Sequence, residues 1–228
     1  MASSPPAAPS TSSEEHVNSS RFESLTGDVD LAFPEYDDPP TEPMALVQQW
    51  ITEATAREVR EPRALALATA DDQGRASNRI VSITDISTRG LVFASHSTSQ
   101  KGREIASTGW ASGLLYWRET GQQLILSGPV AQLSDAESDA LWSGRPIPMH
   151  PMSAVSRQSE PLRDAADLRA QADRLAAPGI PLPRPARFVG YLLSPVAVEF
   201  WCADSDRLHR RLRYDRCDPG WRTSRLQP

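Results

Sequence analysis

The chain has 228 residues, of which 39% are hydrophobic and 23% are charged, a composition typical of a globular protein. Its formal net charge of −5 at pH 7 argues against a general nucleic-acid-binding protein, since such domains are usually basic over a whole face. The two cysteines, Cys202 and Cys217, form no CxxC motif, so the sequence predicts neither a disulfide framework nor a metal site.

The first segment, MASSPPAAPSTSSEEHVNSS, has Val17 as its only large aliphatic residue after Met1. It has little to bury against the entropy of ordering it, so we predict a disordered leader over residues 1–20. It lacks the basic start and the apolar centre of a signal peptide, and no apolar run in the chain has membrane-spanning length. The sequence therefore predicts a soluble cytoplasmic protein with no membrane partner.

Residues 21–43 are rich in proline and aspartate but contain Leu31, Phe33 and Tyr36. We therefore predict an ordered N-terminal arm that packs on another surface, followed by one domain over residues 44–228. Pro43 suits the first turn of a helix. Behind it, apolar residues recur at the spacing of one helix face: Met44, Val47, Ile51 and Ala54.

From Ala64 onward, strand-like segments alternate with turns. Strands are predicted in ALALATA, RIVSITDI, LVFAS, SGLLYWRE, QQLILSGPVAQL and RFVGYLLSPVAVEFW. Helices are predicted in SQKGREIAS, in SDAESDALW and in LRDAADLRAQADRLAA, and the second opens with Ser134 and Glu137 at capping-box spacing. Short strands so close together favour an α+β, mainly β, barrel or sandwich over a sheet of βαβ units.

The segment RLHRRLRY, residues 207–214, concentrates positive charge in an acidic chain. As a strand, it would carry four basic side chains on one face: Arg207, His209, Arg211 and Arg213. These charges repel one another unless an anion or an acidic neighbour lies beside them. The face could therefore be solvated and paired with nearby aspartates, or it could line a pocket for an anionic small molecule.

Three other segments combine donors for an anion or a heterocycle. Ser95 precedes a predicted helix, and Lys101 lies at its start. Hydroxyls, an ammonium group and free backbone N–H groups at such a position can bind an anion. Arg79 offers a guanidinium fork for the same phosphate, and Gln158 and Ser159 lie on a proline-flanked loop. Each segment alone could equally be an ordinary polar surface.

The order and spacing of the motifs resemble the pyridoxamine 5′-phosphate oxidase family. The matching motifs are R-I-V-S-I, S-x-K-G-R-E, Q-Q-x-x-x-x-G, R-P…S-R-Q-S, E-F-W and R-L-H-x-R, spread over residues 44–228. The resemblance implies an FMN-binding split β-barrel with peripheral helices, in a homodimer whose FMN sites lie at the subunit interface. The arginine-rich face would then be a pocket wall and not a nucleic-acid patch.

The resemblance also implies a role for individual residues. Those implied to bind FMN are Arg79, Ile80, Val81, Ser82, Ala94, Ser95, Lys101, Gln123, Gln158, Ser159, Trp201 and Arg211. Those implied to contact the substrate are Leu141, Arg145, Met149, Arg207 and His209. Arg207 and His209 would form the catalytic pair on the ring side of the substrate. His209 would be either the proton acceptor or a positioning group.

The sequence departs at four positions from the family members that act in vitamin B6 metabolism. Thr84 replaces a lysine that binds the substrate phosphate, Leu141 replaces a tyrosine, Met149 replaces a serine, and Gln100 replaces a basic residue before Lys101. A charge-assisted hydrogen bond is worth roughly 1.5–3 kcal/mol, so losing such partners disfavours a phosphate substrate. We expect a flavin site that is retained and a substrate pocket rebuilt for a more apolar ligand.

The segments REPRALALATADDQGR and HPMSAVSRQSE, and the N-terminal arm, are similar to the phenazine-biosynthesis branch of the family. This similarity implies an FMN-dependent oxidase that dehydrogenates a partly reduced phenazine-1,6-dicarboxylate precursor, an aromatic dicarboxylate. Dioxygen would be the final acceptor and hydrogen peroxide the product. Two alternatives stay open: a pyridoxine or pyridoxamine 5′-phosphate oxidase of vitamin B6 metabolism, and a non-catalytic split-barrel protein that binds flavin or haem.

Overall fold

The computed structural model describes residues 31–228, so the predicted leader and residues 21–30 of the predicted arm lie outside the described residues. The α-helices are α1 (Pro43–Ala56), α2 (Gln100–Thr108), α3 (Asp135–Ser143), α4 (His150–Val155) and α5 (Ala165–Ala176). The strands are β1 (Ala64–Ala70), β2 (Ala76–Ser87), β3 (Gly90–His96), β4 (Trp110–Trp117), β5 (Gln122–Gln132), β6 (Phe188–Leu193), β7 (Ala197–Cys202), β8 (Arg210–Arg216) and β9 (Trp221–Leu226).

Six antiparallel strands close a barrel in the order β4-β1-β2-β3-β6-β5, and β5 returns to β4. Different parts of strand β5 pair with different strands. Its first part pairs with β4 and β7, and residues 130–132 pair with β6. Strands β7, β8 and β9 continue from β5 as an antiparallel extension beside the barrel. The prediction of a mainly β split barrel with peripheral helices is confirmed.

Alternation along the strands separates the barrel interior from its outer face. In β1, Leu65 and Leu67 are fully buried, whereas the alanines that flank them are partly exposed. In β2, Val81 and Ile83 point inward and Ile80 is 63% exposed. Successive side chains of a strand point to opposite faces, so the pattern seen in the sequence is the pattern of the folded barrel.

Helix α1 and the end of the arm close one side of the core around Trp50. The ring of Trp50 lies 5.0 Å from that of Phe33 and 5.1 Å from that of Phe200, in both cases edge to face. Leu31 and Phe33 are buried, and the Leu31 carbonyl accepts a hydrogen bond from Arg210 at 2.9 Å. The described part of the arm thus packs on its own chain, while the domain boundaries stay predictions.

The predicted start of the strand in RLHRRLRY is wrong. Residues 204–209 form a turn in which Arg207 has a φ of 68°, and β8 begins only at Arg210. The carboxylates of Asp204 and Asp206 accept hydrogen bonds from the backbone N–H groups of Asp206 and Leu208. Such local bonds compete with strand pairing, so Arg207 and His209 do not share a strand face with Arg211.

Other element boundaries also differ from the prediction. The long segment RFVGYLLSPVAVEFW is interrupted at residues 194–196 and forms two strands, β6 and β7. Helix α5 begins at Ala165 because Asp164 caps it by accepting from two backbone N–H groups. The short helix α4 was not predicted. The capping box of Ser134 and Glu137 at the start of α3 is confirmed.

Candidate cofactor and substrate site

Lys101 lies at the centre of a cluster of polar side chains, which we call the anion cluster: Arg79, Ser95, Lys101, Gln158 and Ser159. The Lys101 ammonium donates to the hydroxyl of Ser95 at 3.1 Å, and that hydroxyl donates to the amide oxygen of Gln158 at 3.2 Å. The hydroxyl of Ser159 accepts from the backbone N–H of Gln100 at 3.0 Å. The fold therefore brings together residues that are far apart in the sequence, and their role in binding FMN stays a prediction.

The anion cluster carries positive charge that the described residues do not neutralise fully. Lys101 makes hydrogen bonds to hydroxyls but no ion pair within the described part of the chain. Burial lowers the pKa of Lys101, the nearby positive charge of Arg79 lowers it further, and Glu104 acts in the opposite direction. A bound anion would stabilise the protonated ammonium, so the donor set fits a phosphate group.

Glu104 lies beneath the cluster and was given no role by the sequence, although it stands in the quoted S-x-K-G-R-E motif. Its carboxylate pairs with Arg79 at 3.2 Å and accepts from Ser77 at 2.6 Å, from Gln100 at 2.9 Å and from Thr69. Burial alone would raise the pKa of Glu104, but these hydrogen bonds outweigh it and lower the pKa to about 2. The side chain of Gln100 is thus directed to Glu104.

A cavity of about 730 Å³ lies between β2, β3, β6 and helix α3. It brings together two predicted FMN-binding residues, three predicted substrate residues and one position of departure: Ser82, Ala94, Leu141, Arg145, Met149 and Thr84. The rest of the wall is largely aliphatic and aromatic, with Asp85, Ser87, Arg89 and Glu137 also lining the cavity. This volume is in the range of small-molecule sites.

Arg145 is the cation in this wall that lacks an acidic partner among the described residues. Its guanidinium lies 5.9 Å from the centroid of the Phe188 ring and donates to the hydroxyl of Ser153 at 3.3 Å. Its Nε is buried without a hydrogen-bond partner, and burial lowers the pKa of Arg145. Arg89 differs, because it contacts Glu137 at 3.5 Å. A half-buried guanidinium without an acidic partner favours an anionic ligand group.

The remaining predicted residues lie on another part of the sheet. Gln123, Trp201 and Arg211 are direct neighbours across β5, β7 and β8, and the His209 ring lies 4.7 Å from that of Trp201. Neither these four residues nor Arg207 lines the cavity described above. Within one chain, the predicted site is therefore divided into two halves.

Acidic neighbours neutralise much of the arginine-rich strand. Arg211 donates to Glu199 at 2.7 Å, and Arg213 pairs with Asp215 at 2.9 Å. Asp215 is one of the nearby aspartates expected to pair with this face, whereas Glu199 lies on the neighbouring strand β7 and is not predicted as a partner. Asp215 neutralises the charge of Arg213, so no ligand is needed to balance it. The pair with Glu199 holds the Arg211 guanidinium in a defined place beside Trp201.

The hydrogen bond to His209 determines which ring nitrogen carries the proton in the neutral ring. The backbone N–H of Asp204 donates to Nδ1 of His209 at 3.1 Å. Nδ1 must therefore be unprotonated, and the proton of the neutral imidazole lies on Nε2. In this form, His209 presents a hydrogen-bond donor at Nε2.

His96 is a second buried titratable residue that the sequence interpretation passed over. It is 1% exposed, and neither ring nitrogen has a hydrogen-bond partner in the described part of the protein. Burial, followed by the positive charge of Arg187, lowers the pKa of His96 to about 4. The backbone of Ser153 favours the charged form, although not at hydrogen-bond geometry. His96 is thus neutral at pH 7.

The family resemblance implies that three of the predicted FMN-binding residues, Ile80, Val81 and Ser82, contact the flavin through their backbone. The side chain of Val81 points into the core, and that of Ile80 lies on the outer face of the sheet.

Across residues 31–228, no group of three or more His, Cys, Asp or Glu side chains is placed to hold a metal ion, and no helix is long and apolar enough to cross a membrane.

Comparison with known proteins gives consistent matches. The family model "Pyridoxamine 5′-phosphate oxidase" matches residues 51–177, and "Pyridoxine 5′-phosphate oxidase C-terminal dimerisation region" matches residues 188–228. The dihydrophenazinedicarboxylate synthase of Burkholderia lata is 58% identical over 93% of this chain and 100% of that protein. A pyridoxine/pyridoxamine 5′-phosphate oxidase of Caulobacter vibrioides is 35% identical over 82% and 85% of the two chains. The crystal structure of PhzG from Burkholderia lata 383, in complex with tetrahydrophenazine-1-carboxylic acid, is similar with a TM-score of 0.87 and 57% identity, covering 89% of this chain and 100% of that one.

Proposed function

The chain belongs to the pyridoxamine 5′-phosphate oxidase family, and on that premise we propose that it is an FMN-dependent oxidase of phenazine biosynthesis. Its substrate is a partly reduced phenazine-1,6-dicarboxylate precursor, which it dehydrogenates. The observation that carries the proposal is Arg145, an unpaired cation in a cavity whose wall also contains Leu141 and Met149. An apolar cavity with one unpaired guanidinium suits a fused aromatic ring that bears a carboxylate.

The anion cluster supports FMN as the cofactor. Arg79 and Lys101 would hold the phosphate, with the hydroxyl of Ser95 and the loop of Gln158 and Ser159 beside them. Bound FMN supplies a hydride acceptor, and dioxygen as the final acceptor gives hydrogen peroxide. The protein contributes binding, orientation and electrostatics. Among the described residues, Lys101 has no carboxylate partner that would compete with the phosphate for its charge.

The wall of the cavity argues against a vitamin B6 phosphate as the preferred substrate. A phosphate dianion entering it would meet the unpaired Arg145, whereas Thr84, Leu141 and Met149 offer a single hydroxyl between them. The hydroxyl of Thr84 already donates to the Val92 carbonyl at 3.1 Å. The carboxylate of an aromatic acid carries one negative charge, so Arg145 matches it better.

We further propose a homodimer in which each site combines the two halves described above. The outer face of the barrel carries apolar side chains in one row across neighbouring strands: Ile80, Ala66, Leu114 and Ile125. These residues are partly or largely exposed in the single chain. Pairing of two such faces would bury them and bring His209 and Arg207 of one protomer to the Arg145 cavity of its partner. The match of residues 188–228 to a dimerisation region supports this arrangement.

On the substrate side, we propose that Arg207 and His209 bind and orient the substrate. Arginine cannot act as a base because its pKa is above about 12. His209 is fixed by Asp204 with its proton on Nε2, so it donates a hydrogen bond to the substrate and does not accept a proton from it. The retention of these substrate-side groups supports an enzyme over a protein that only binds flavin or haem.

The donor role of His209 can be tested with two variants of different length. In His209→Gln, the longer side chain can bring an N–H donor to the place of Nε2, and the rate of flavin reduction is expected to stay within about threefold of wild type. In His209→Asn, the donor falls short, and a loss of about tenfold or more is expected. The measurement is anaerobic stopped-flow reduction of the bound flavin. Equal losses of 100-fold or more in both variants would instead indicate a general base.

The proposed function is tested by comparing substrates in the same anaerobic mixing experiment. Reduced phenazine carboxylates are expected to reduce the bound flavin at least about 100-fold faster than pyridoxine 5′-phosphate at equal concentration, consistent with the loss of one or two charge-assisted contacts. Equal rates would place the protein in vitamin B6 metabolism. Flavin binding without reduction by either substrate would favour a non-catalytic binder.

A further inference from the structure

Glu104 connects three elements at the anion cluster. It lies in α2 and is 7% exposed, and its carboxylate accepts from Thr69 of β1, from Ser77 and Arg79 of β2 and from Gln100 of α2. This number of donors for one carboxylate is close to its full capacity of about four lone-pair sites. Glu104 is therefore an anchor between the strands and the helix that carry the anion-binding groups.

The anchor orients the guanidinium of Arg79. Besides Glu104, that guanidinium donates to the Leu67 carbonyl at 3.2 Å and to the hydroxyls of Thr69 and Ser77. An arginine side chain is among the most flexible, and its freedom is lost on binding a ligand. Because these contacts already restrict Arg79, less freedom is lost when an anion binds.

The anchor also extends to the loop of Ser159. Gln100 donates its side-chain amide to Glu104 at 2.9 Å, and its backbone N–H donates to the Ser159 hydroxyl at 3.0 Å. Ser159 has a φ of 71°, a conformation that is unusual for a residue other than glycine. The contact with Gln100 therefore helps to hold this loop against the start of α2.

We infer that Glu104 is a positioning residue for the cofactor phosphate, which acts through Arg79 and through Gln100 without touching the ligand. This inference rests on the proposed FMN site. It goes beyond charge complementarity, because a carboxylate next to a phosphate dianion repels it. Electrostatics alone predicts that removal of the Glu104 charge tightens FMN binding, whereas a positioning role predicts that it weakens FMN binding.

The sign of the effect in Glu104→Gln thus separates the two roles. The holoprotein is diluted, and FMN release is followed by the recovery of flavin fluorescence, which gives the dissociation rate and constant without any turnover. We expect the dissociation constant to rise about tenfold, since hydrogen bonds to a charged group are roughly twice as strong as those to a neutral one. Glu53→Gln removes the same charge from the exposed face of α1, where Glu53 accepts from Gln49, and should change the constant less than twofold.

Two milder variants keep the test decisive if Glu104→Gln does not fold. Ser77→Ala and Thr69→Val each remove one hydroxyl that contacts both Glu104 and Arg79, and each should speed FMN release about threefold. Unchanged or slower release in the folded variants would overturn the positioning role. If the wild-type protein itself retains no FMN, the proposed cofactor is wrong. If the wild type binds FMN and the Glu104→Gln variant binds it more tightly, only the positioning role of Glu104 is wrong.

Discussion

Replacing Arg145 by alanine is expected to weaken the binding of an aromatic carboxylate about 10- to 100-fold, while FMN retention stays unchanged. The guanidinium has no acidic partner among the described residues, so its charge is available to the ligand. A hydrogen bond to a charged group contributes roughly 1.5–3 kcal/mol, which corresponds to this range of affinity. The measurement is titration of the oxidised holoprotein with phenazine-1-carboxylate, followed by the change in the flavin spectrum.

Arg89 provides a matched control within the same cavity. It also lines the wall, but it is exposed and contacts Glu137 at 3.5 Å. Exposed ion pairs of this kind contribute roughly 0–1 kcal/mol, so Arg89→Ala should change the affinity less than about fivefold. If Arg89→Ala weakens binding more than Arg145→Ala does, the carboxylate is bound at the other end of the cavity.

The same variant tests whether the site is shared between two protomers. Arg145→Ala and His209→Asn are co-expressed with different tags, and the mixed dimer is purified by both tags. If the sites are shared, one of the two sites in the mixed dimer combines the intact Arg145 of one protomer with the intact His209 of the other. About half of the flavin should then be reduced at the wild-type rate. If each chain builds its own site, the mixed dimer will show no wild-type phase.

Replacing Lys101 by alanine is expected to raise the dissociation constant for FMN about 10- to 100-fold, through the loss of one charge-assisted phosphate contact. Lys101 is half-buried, and burial lowers its pKa, so its charge is screened less by salt than that of an exposed lysine. The constant is measured by flavin fluorescence at several salt concentrations. Because the Lys101 charge is little screened, the loss of affinity in the variant should be similar at all of these salt concentrations.

Arg103 is the control for this second variant. It lies two residues later in α2, is exposed and donates to the Thr98 carbonyl. Arg103→Ala removes one positive charge from the same helix and should change the FMN dissociation constant less than about twofold. Equal effects of the two variants would mean that FMN is retained by the overall positive charge of α2. A specific phosphate contact of Lys101 would then be ruled out.

The sequence alone determined the elements whose pattern is local. The period of two in β1 and the helical spacing after Pro43 follow from backbone geometry, so Leu65, Leu67 and Ile51 are buried as the pattern predicts. The capping box of Ser134 and Glu137 is equally local. The order of the family motifs identified which residues form the anion cluster, because each motif keeps its residues at a fixed place on its own element.

The tertiary structure decided what depends on distant neighbours. The turn before β8 forms because Asp204 and Asp206 bind backbone N–H groups that a strand would otherwise use, a competition that alternation of residue types does not reveal. Glu104 gains its position from two strands and one helix that meet only in the folded barrel. Strands β7, β8 and β9 extend beyond the closed barrel, so His209 lies away from the cavity of Arg145. The division of the site into two halves is therefore a property of the sheet topology, which a list of motifs in chain order does not contain.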